Sequence, residues 1–511
     1  MKAAHALWIL TALATAHGAA GAEPAGRTVL GNVTVVSPER EAPLAGAWVV
    51  LDGGRIEAVR SERPSEEELA GARVIDGTNL WVTPGLIDSH VHLASLVGML
   101  GTQRREHPEL VAAYREQLPR SYLYFGFTTV VDLSVTDPDL IETLRAAPFG
   151  PNIFTCSEGL MLANGFRMSE DDPETRLDDY DNWLYDSYRP QVVPDRFDLS
   201  GHTPDAVVGR IVDRGGICVK TYYENGFGGT APVTWDMPTV EIVRDVVAAA
   251  HEHSVPVLIH ANSYEAQRFA VDAGVDVIAH GMWHWGDVAD FLEVDELPET
   301  HRRLLEQIAA RRIGYQPTIQ VLASQRSLFD TGYLDDRQLR HALPAAYIAW
   351  LRSAEGRWHR DALVEEFHDV LGGKSDAELY ALFDRFADKT KTITRVLAGH
   401  DARLLFGTDT PSGPAWGNPP GYNGYLEMLD WADSGVSPAQ LLEAATRANA
   451  EAFHLEDELG TVEPGKKADL LVLEEDPLGS VDAWGSIRWV IKDGAVIDRD
   501  RLSASGVPTT R

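Results

Sequence analysis

The sequence has little positive charge. Its 511 residues carry 45 Lys and Arg against 77 Asp and Glu, a formal net charge of −32 with histidine neutral. Nucleic acids and anionic membranes are bound through basic patches, so neither is expected as a partner. The acidity reads as solubility. Cysteine is scarcer still, with only Cys156 and Cys218. Cys218 sits in an apolar, strand-like run two residues before Lys220. Two separate small core residues are therefore the preferred reading, and a disulfide is the alternative that an oxidising compartment would permit. Beyond the N-terminus no segment is apolar for long enough to span a bilayer. No internal repeat of fixed period is visible.

The N-terminus has a recognisable layout. Lys2 precedes the uncharged stretch Ala6–Ala16, and Ala20-Gly21-Ala22 follows as a small-x-small pattern. This is the plan of a signal peptide cut after Ala22, and it predicts an exported protein, periplasmic or secreted. A buried N-terminal helix is the alternative, but no polar helical face accompanies the stretch. The apolar run is too short to cross a membrane as a stable helix, so no membrane association is expected after cleavage.

At roughly 150 residues per domain the length allows about three domains, although α/β barrels often exceed about 250 residues as one unit. Residues 28–60 read as short strands, with Asp52-Gly53-Gly54 as a hairpin turn. Asp469–Leu473 and Ile487–Lys492 repeat that character near the C-terminus, with a second turn at Asp493-Gly494. Between these ends, short apolar runs alternate with amphipathic stretches of helical length such as 239–252 and 264–273. The strand candidates are Gly85–His90, Thr128–Leu133, Ile153–Cys156, Ile217–Thr221, Val257–His260, Val277–His280, Gly314–Ile319 and Leu404–Thr408. The predicted fold class is α/β: a (β/α)8 TIM-like barrel over residues 84–460, with a small β-sandwich domain formed from both termini, 23–83 and 461–511. Residues 166–204 and 322–400 stand out as insertions, either solvated decoration or, for 166–204 especially, a lid over the barrel mouth.

The chemistry-bearing signal begins with Pro84-Gly85-Leu86-Ile87-Asp88-Ser89-His90-Val91-His92. Positions i and i+2 of a strand share a face, so His90 and His92 project together, as two ligands of one metal must. Other ligand-type residues end strands one by one: Lys220 after Ile217-Cys218-Val219, His260 after Val257-Leu258-Ile259, His280 after Val277-Ile278-Ala279, and Asp409 after Phe406-Gly407-Thr408. Barrel enzymes draw catalytic residues from the C-terminal ends of several strands. A lysine at such an end is costly unless paired or modified. Burial exposes its neutral amine, which can take up carbon dioxide as an anionic carbamate. Any one of these residues alone would be an ordinary satisfied polar group; together they form a metal-site pattern. A second His-x-His, His251 and His253, sits where helix 239–252 ends, and there it reads as structural.

This pattern resembles the amidohydrolase superfamily. Further resemblance lies in Gly126-Phe127-Thr128-Thr129-Val130-Val131-Asp132, in Ala273-Gly274-Val275-Asp276, and in the tail from Leu459 to Asp469. That tail is similar to the return into the small β domain of imidazolonepropionase-like and Xaa-Pro dipeptidase-like members. The resemblance implies a binuclear site with two divalent metal ions, expected to be zinc. His90, His92 and Asp409 would hold one metal and His260 and His280 the other, bridged by carboxylated Lys220. It also implies a metal-bridging hydroxide as nucleophile, with Asp409 taking its proton and passing it to the leaving group.

Deaminases of the superfamily usually lack the bridging lysine and carry a glutamate three residues after the position of His260, where this chain has Ser263. The expected activity is therefore hydrolysis of a C–N amide bond in a small peptide-like or N-acyl amino acid substrate. Lactone, ester or cyclic-amide hydrolysis is the alternative, with phosphotriesterase-like activity more remote. From another class comes a metal-free binding protein on an inherited barrel. Dipeptidase-like relatives often have Gly-Gly-His where this chain reads Asn164-Gly165-Phe166, and a tyrosine where it has Asn262. His284, Trp416, Asn262 and Arg268 are the candidate substrate contacts, with Trp283, Trp285 and Tyr422 as further aromatic neighbours. A homo-oligomer is compatible with the sequence.

Overall fold

The computed structural model describes residues 26–226, 232–283, 285 and 296–505. The expected signal peptide, 1–22, and His284 lie outside the described residues. Runs rich in Val, Ile and Leu form the N-terminal strands β1 (Thr28–Val35), β2 (Leu44–Asp52), β3 (Arg55–Arg60), β4 (Arg73–Asp76) and β5 (Trp81–Pro84). The middle of the chain contributes β6 (Leu86–Val91), β7 (Phe127–Asp132), β8 (Asn152–Thr155), β9 (Met161–Leu162), β10 (Trp183–Leu184), β11 (Val219–Tyr222), β12 (Val257–His260), β13 (Val277–Ala279) and β14 (Gly314–Gln316). The C-terminal strands are β15 (Leu470–Leu473), β16 (Ile487–Lys492) and β17 (Ala495–Asp498).

The two ends of the chain build one sheet, in the order β17-β16-β15-β5-β1-β2-β3, with β4 against β1. Its two halves meet where β5 and β15 run antiparallel, Trp81 opposite Leu473 and Pro84 opposite Leu470. Alternate residues such as Val33, Val49, Leu51, Val82 and Val472 bury one apolar face, as the period of two requires. The predicted turns at Gly53-Gly54 and Asp493-Gly494 are present, all four residues at positive φ.

Between the ends, parallel strands alternate with amphipathic helices. One parallel sheet has the order β6-β7-β8 and another β11-β12-β13-β14. Every residue of β6, β7, β12, β13 and β14 is buried, the pattern of strands covered on both faces. Helix Val240–Glu252 illustrates the partner elements. Thr239 caps it by accepting from Ile242 N, and Ile242, Val243, Val246, Val247 and Ala250 form its buried stripe. His251 at its end meets Asp276 at 3.0 Å, consistent with a structural histidine.

Seven of the eight predicted central strands appear as ladder strands. The eighth, Leu404–Thr408, is an extended segment with single bridges on either side, Tyr315 to Leu404 and Val91 to Thr410. It nonetheless bonds to both sheets: Leu405 N donates to Tyr315 O (2.9 Å), Ser89 N to Phe406 O (3.0 Å) and Asp409 N to His90 O (2.7 Å). The ladder is interrupted because the buried Asp88 carboxylate takes Thr408 N at 3.1 Å and Thr408 Oγ1 at 2.7 Å. Gly407 is required by proximity, since a Cβ there would lie 2.8 Å from His90 Cβ.

Cys156 and Cys218 form a disulfide, which overturns the expectation of two separate core residues. The reason is topological. Ile217 N donates to Thr155 O at 2.9 Å, so β8 and the run entering β11 are neighbours and the two Cα atoms stand 4.5 Å apart, within bridging range. The insertions differ in character. Residues 166–204 hold β10, which pairs with β9, and pack around a small cluster including Met168, Leu177 and Trp183. Residues 322–400 are helical, and their longest helix, Asp376–Gly399, starts at a Ser375/Glu378 capping box and lies against helices Glu299–Ala310 and Tyr422–Asp433.

The bridge closes a loop of 62 residues. Cys218→Ser is expected to lower unfolding free energy by about 2–4 kcal/mol, measured by denaturant titration. An unchanged midpoint would mean that the thiols are not joined in the folded protein.

Candidate metal centre

His90 and His92 leave the C-terminal end of β6 on the same side, His90 fully buried and His92 with a quarter of its side chain exposed. Pairing of β6 with residues 406–410 brings Asp409 to them. Asp409 Oδ1 lies 2.8 Å from His92 Nε2 and 3.2 Å from His90 Nε2. One ligand atom from each of His90, His92 and Asp409 falls within 4.8 Å of the others. His260 ends β12 and His280 follows β13; their rings are 4.6 Å apart, and His280 is 5.0 Å from the His90 ring. Lys220, on β11, completes the group. All six residues line one cavity of about 440 Å³.

Burial sets the charge states. It lowers the Lys220 amine to about 7, with the Arg167 charge acting in the same direction and Asp409 opposing. His90 falls to about 3, chiefly through burial and then the Lys220 charge, and burial also takes His280 well below its ordinary value. Both imidazoles are thus neutral at pH ~7, the state a metal ligand needs. For Asp409, burial pushes upward, but the attraction and hydrogen bonding of His90 and His92 outweigh it and hold the carboxyl well below its usual range.

The donor set fits a divalent cation. Neither ring nitrogen of His90 makes a well-aligned hydrogen bond, and Lys220 Nζ, 5.8 Å from the Tyr222 ring centroid, is buried without a hydrogen-bond partner among the described residues. Unpaired buried polar groups cost free energy; coordination would satisfy them. Four imidazoles and a carboxylate are the nitrogen and oxygen donors that zinc and similar ions take. Outer hydrogen bonds orient the rings. Thr318 Oγ1 meets His280 Nδ1 at 3.1 Å, which leaves Nε2 for the cavity. His260 Nε2 meets Glu224 Oε2 at 2.8 Å, and Asn262 Nδ2 donates to the same oxygen at 2.6 Å. Three non-glycine residues here adopt positive φ: His280 (85°), Thr318 (42°) and Asp409 (57°). Such strained backbone persists where the surroundings fix it, often at functional sites.

The candidate substrate contacts fare less well. Trp416 is fully buried in the main core and does not line the cavity. Asn262, also fully buried, is turned to Glu224. Arg268 is exposed on helix Tyr264–Ala273, away from the cavity lining. His284 lies outside the described residues. Of the other aromatics, Trp283 does line the cavity, 5.6 Å from the His280 ring, whereas Tyr422 OH bonds to Asp336 at 2.7 Å. Sequence reasoning missed Glu224, Tyr222 and Arg167. One signal was available for the first two: Lys220, Tyr222 and Glu224 fall on alternate positions as the chain leaves β11.

Comparison with known proteins places the chain in a family. Two profiles, each described as Amidohydrolase family, match residues 219–498 and 81–283. The chain belongs to the amidohydrolase family. It is 46% identical over 76 residues to the imidazolonepropionase of Anaeromyxobacter dehalogenans, a match covering 14% of this chain and 18% of that protein. Against the 5-methylthioadenosine/S-adenosylhomocysteine deaminase of Halalkalibacterium halodurans it is 39% identical over 67 residues, 13% of this chain and 15% of that protein. The matched segments are thus under a fifth of each curated relative's length. A solved Xaa-Pro dipeptidase with bound methionine in its active site superposes at a TM-score of 0.61 with 20% identity, covering 93% of this chain and 100% of that one; this likeness is one of fold.

Glu224→Gln replaces the carboxyl group that orients His260 and is expected to weaken metal binding about tenfold to a hundredfold, measured by competition with a chromophoric chelator. Wild-type affinity in that variant would remove Glu224 from the support of the site.

Proposed function

We propose that the protein is an exported, metal-dependent hydrolase that cleaves a C–N amide bond in a small peptide-like or N-acyl amino acid substrate. The observation that carries this reading is the convergence of His90, His92, Lys220, His260, His280 and Asp409 on one cavity, with the buried Lys220 amine unpaired. In this reading the two parallel sheets and residues 403–410 form one closed (β/α)8 barrel over residues 84–460, and the two-ended sheet, 23–83 with 461–511, is a small β-sandwich domain beside it.

His90, His92 and Asp409 would hold one cation and His260 with His280 a second, with Lys220 bridging them as its carbamate. Zinc suits the donors. When bound, the cations would supply a hydroxide nucleophile at neutral pH and polarise the scissile carbonyl. Asp409 carries the proton: it accepts it as water adds to the carbonyl carbon and delivers it to the departing amine nitrogen, so that amide and water become acid and amine. Glu224 and Thr318 keep the His260 and His280 rings in the tautomers that face the cavity.

Hydrolysis is favoured over deamination because Ser263 stands where a ring-protonating glutamate would, and it is occupied in capping helix Tyr264–Ala273 and donating to Asn225 at 2.7 Å. The bound methionine of the dipeptidase-like neighbour supports an amino-acid-containing substrate. A metal-free binding role would leave the buried Lys220 amine without a hydrogen-bond partner among the described residues. The Cys156–Cys218 bridge supports export, since such bonds persist in oxidising compartments.

Protein purified without chelator is expected to carry about two equivalents of divalent metal and to hydrolyse members of an N-acyl amino acid and dipeptide library. Opening of lactones or esters with no amide cleaved would overturn the amide reading. No metal uptake, even with zinc and bicarbonate, would overturn the metal reading. The lysine has a pH signature. With its amine lowered to about 7, the neutral form that reacts with carbon dioxide dominates above that value. Reactivation of stripped enzyme by zinc at fixed dissolved carbon dioxide should therefore rise between pH ~6 and ~8 and then level off. A rise only toward pH ~10 would show an ordinary exposed lysine, and full activity in Lys220→Ala would remove it from the site.

A further inference from the structure

The cavity is lined by a lysine and an arginine in different situations. Lys220 is buried at the floor. Arg167, from the short turn Phe166–Met168 that opens the 166–204 insertion, is exposed at the rim. Its guanidinium lies 5.9 Å from the Tyr222 ring centroid, and its charge reaches the floor, where it helps to lower Lys220.

Arg167 makes no hydrogen bond or ion pair with any described residue, although acids crowd the segment that follows it. Its neighbours in the insertion are paired: Arg196 with Asp178 at 2.5 Å, and Asp181 with Arg214 at 2.7 Å. The nearby acid Asp171 is taken by Tyr180 OH at 2.8 Å instead. The turn itself is fixed on both sides. Gly165 bridges to Asp236, Phe166 packs 5.4 Å from Trp235 and 5.6 Å from His260, and Met168 is fully buried. An anchored turn thus holds at the mouth of the cavity a guanidinium that is unpaired among the described residues, in a protein of net charge −32.

A planar guanidinium left open in this way matches a carboxylate, which it can grip through two parallel hydrogen bonds. Phe166, Trp283 and Val321 supply apolar wall between rim and floor. An amide at the floor and an anion at the rim fit one small molecule, and in the N-acyl amino acid of the reading above the carboxylate is carried on the departing amine.

We propose that Arg167 binds a carboxylate on the amine side of the scissile amide, so that the substrate is an N-acyl amino acid or short peptide with a free C-terminal carboxylate and an apolar side chain. This rests on the amidase reading above and narrows it.

The test pairs turnover with binding on the metal-loaded enzyme. N-acetyl-phenylalanyl-phenylalanine is compared with its C-terminal carboxamide as substrate, and L-phenylalanine with L-phenylalaninamide as ligand by calorimetry. Wild type is expected to prefer the carboxylate form in both. In Arg167→Ala the acid-to-amide ratio of kcat/KM should fall about tenfold to a hundredfold, mostly through KM, and the binding preference should collapse with it. Arg167→Lys should restore part of both. Amide hydrolysis with no preference for the carboxylate, or a preference that survives in Arg167→Ala, would overturn the assignment and leave the amidase reading standing. A carboxylate preference in binding that is lost in Arg167→Ala, without cleavage of any amide, would keep the anion site and overturn the amidase reading.

Discussion

The candidate metal centre depends on the pairing of β6 with residues 406–410. His90 and His92 stand on one partner and Asp409 on the other, far apart in sequence. Ser89 N to Phe406 O, Asp409 N to His90 O and His92 N to Thr410 O join them. A third element reinforces the joint: Asn449 Nδ2 donates to Ile87 O and Phe406 O, each at 2.8 Å. These groups are buried, so breaking any of the bonds would expose an unsatisfied donor or acceptor to a dry interior. Asp88 belongs to the same arrangement. Its carboxylate replaces ladder bonds that Thr408 would otherwise make, which frees the chain to turn Asp409 toward the histidines.

Burial acts on each ligand according to its charge. It strips protons from His90, His280 and Lys220, and it would protonate Asp409 were the neighbouring imidazoles not there to hold the anion. The result is two neutral imidazoles, His90 and His280, and an amine that can lose its proton near neutrality, gathered around one negative carboxylate. The disulfide works on the same cluster from behind: Cys218 is two residues from Lys220 and is tied to the end of β8, so the strand that delivers the amine is fixed covalently to its neighbour.

The six residues that converge on the cavity were legible in the sequence because they obey strand geometry. Parity places His90 and His92 on one side, and the remaining four end apolar runs. The last strand was legible in position but not in kind, since nothing in Leu404–Thr408 announces that Asp88 will interrupt the ladder. Trp416 and Arg268 were chosen for closeness in sequence to Asp409 and His260. Closeness does not fix direction, and one turns into the core while the other lies on the exposed side of a helix. Arg167 was invisible for the opposite reason: it sits in an irregular turn with no period to read. The cysteine pair needed the knowledge that β8 and β11 are neighbours, which no local pattern supplies.

The sheet shared by both chain ends bears on how the molecule comes into being. β5 runs directly into β6, the strand of His90 that leads to His92, yet its partner β15 lies far downstream in the chain. Until β15 exists, β5 has an open edge, which invites wrong partners, and contacts between such distant segments form slowly. The strand that leads into the site therefore keeps one edge open until a segment far downstream has been made.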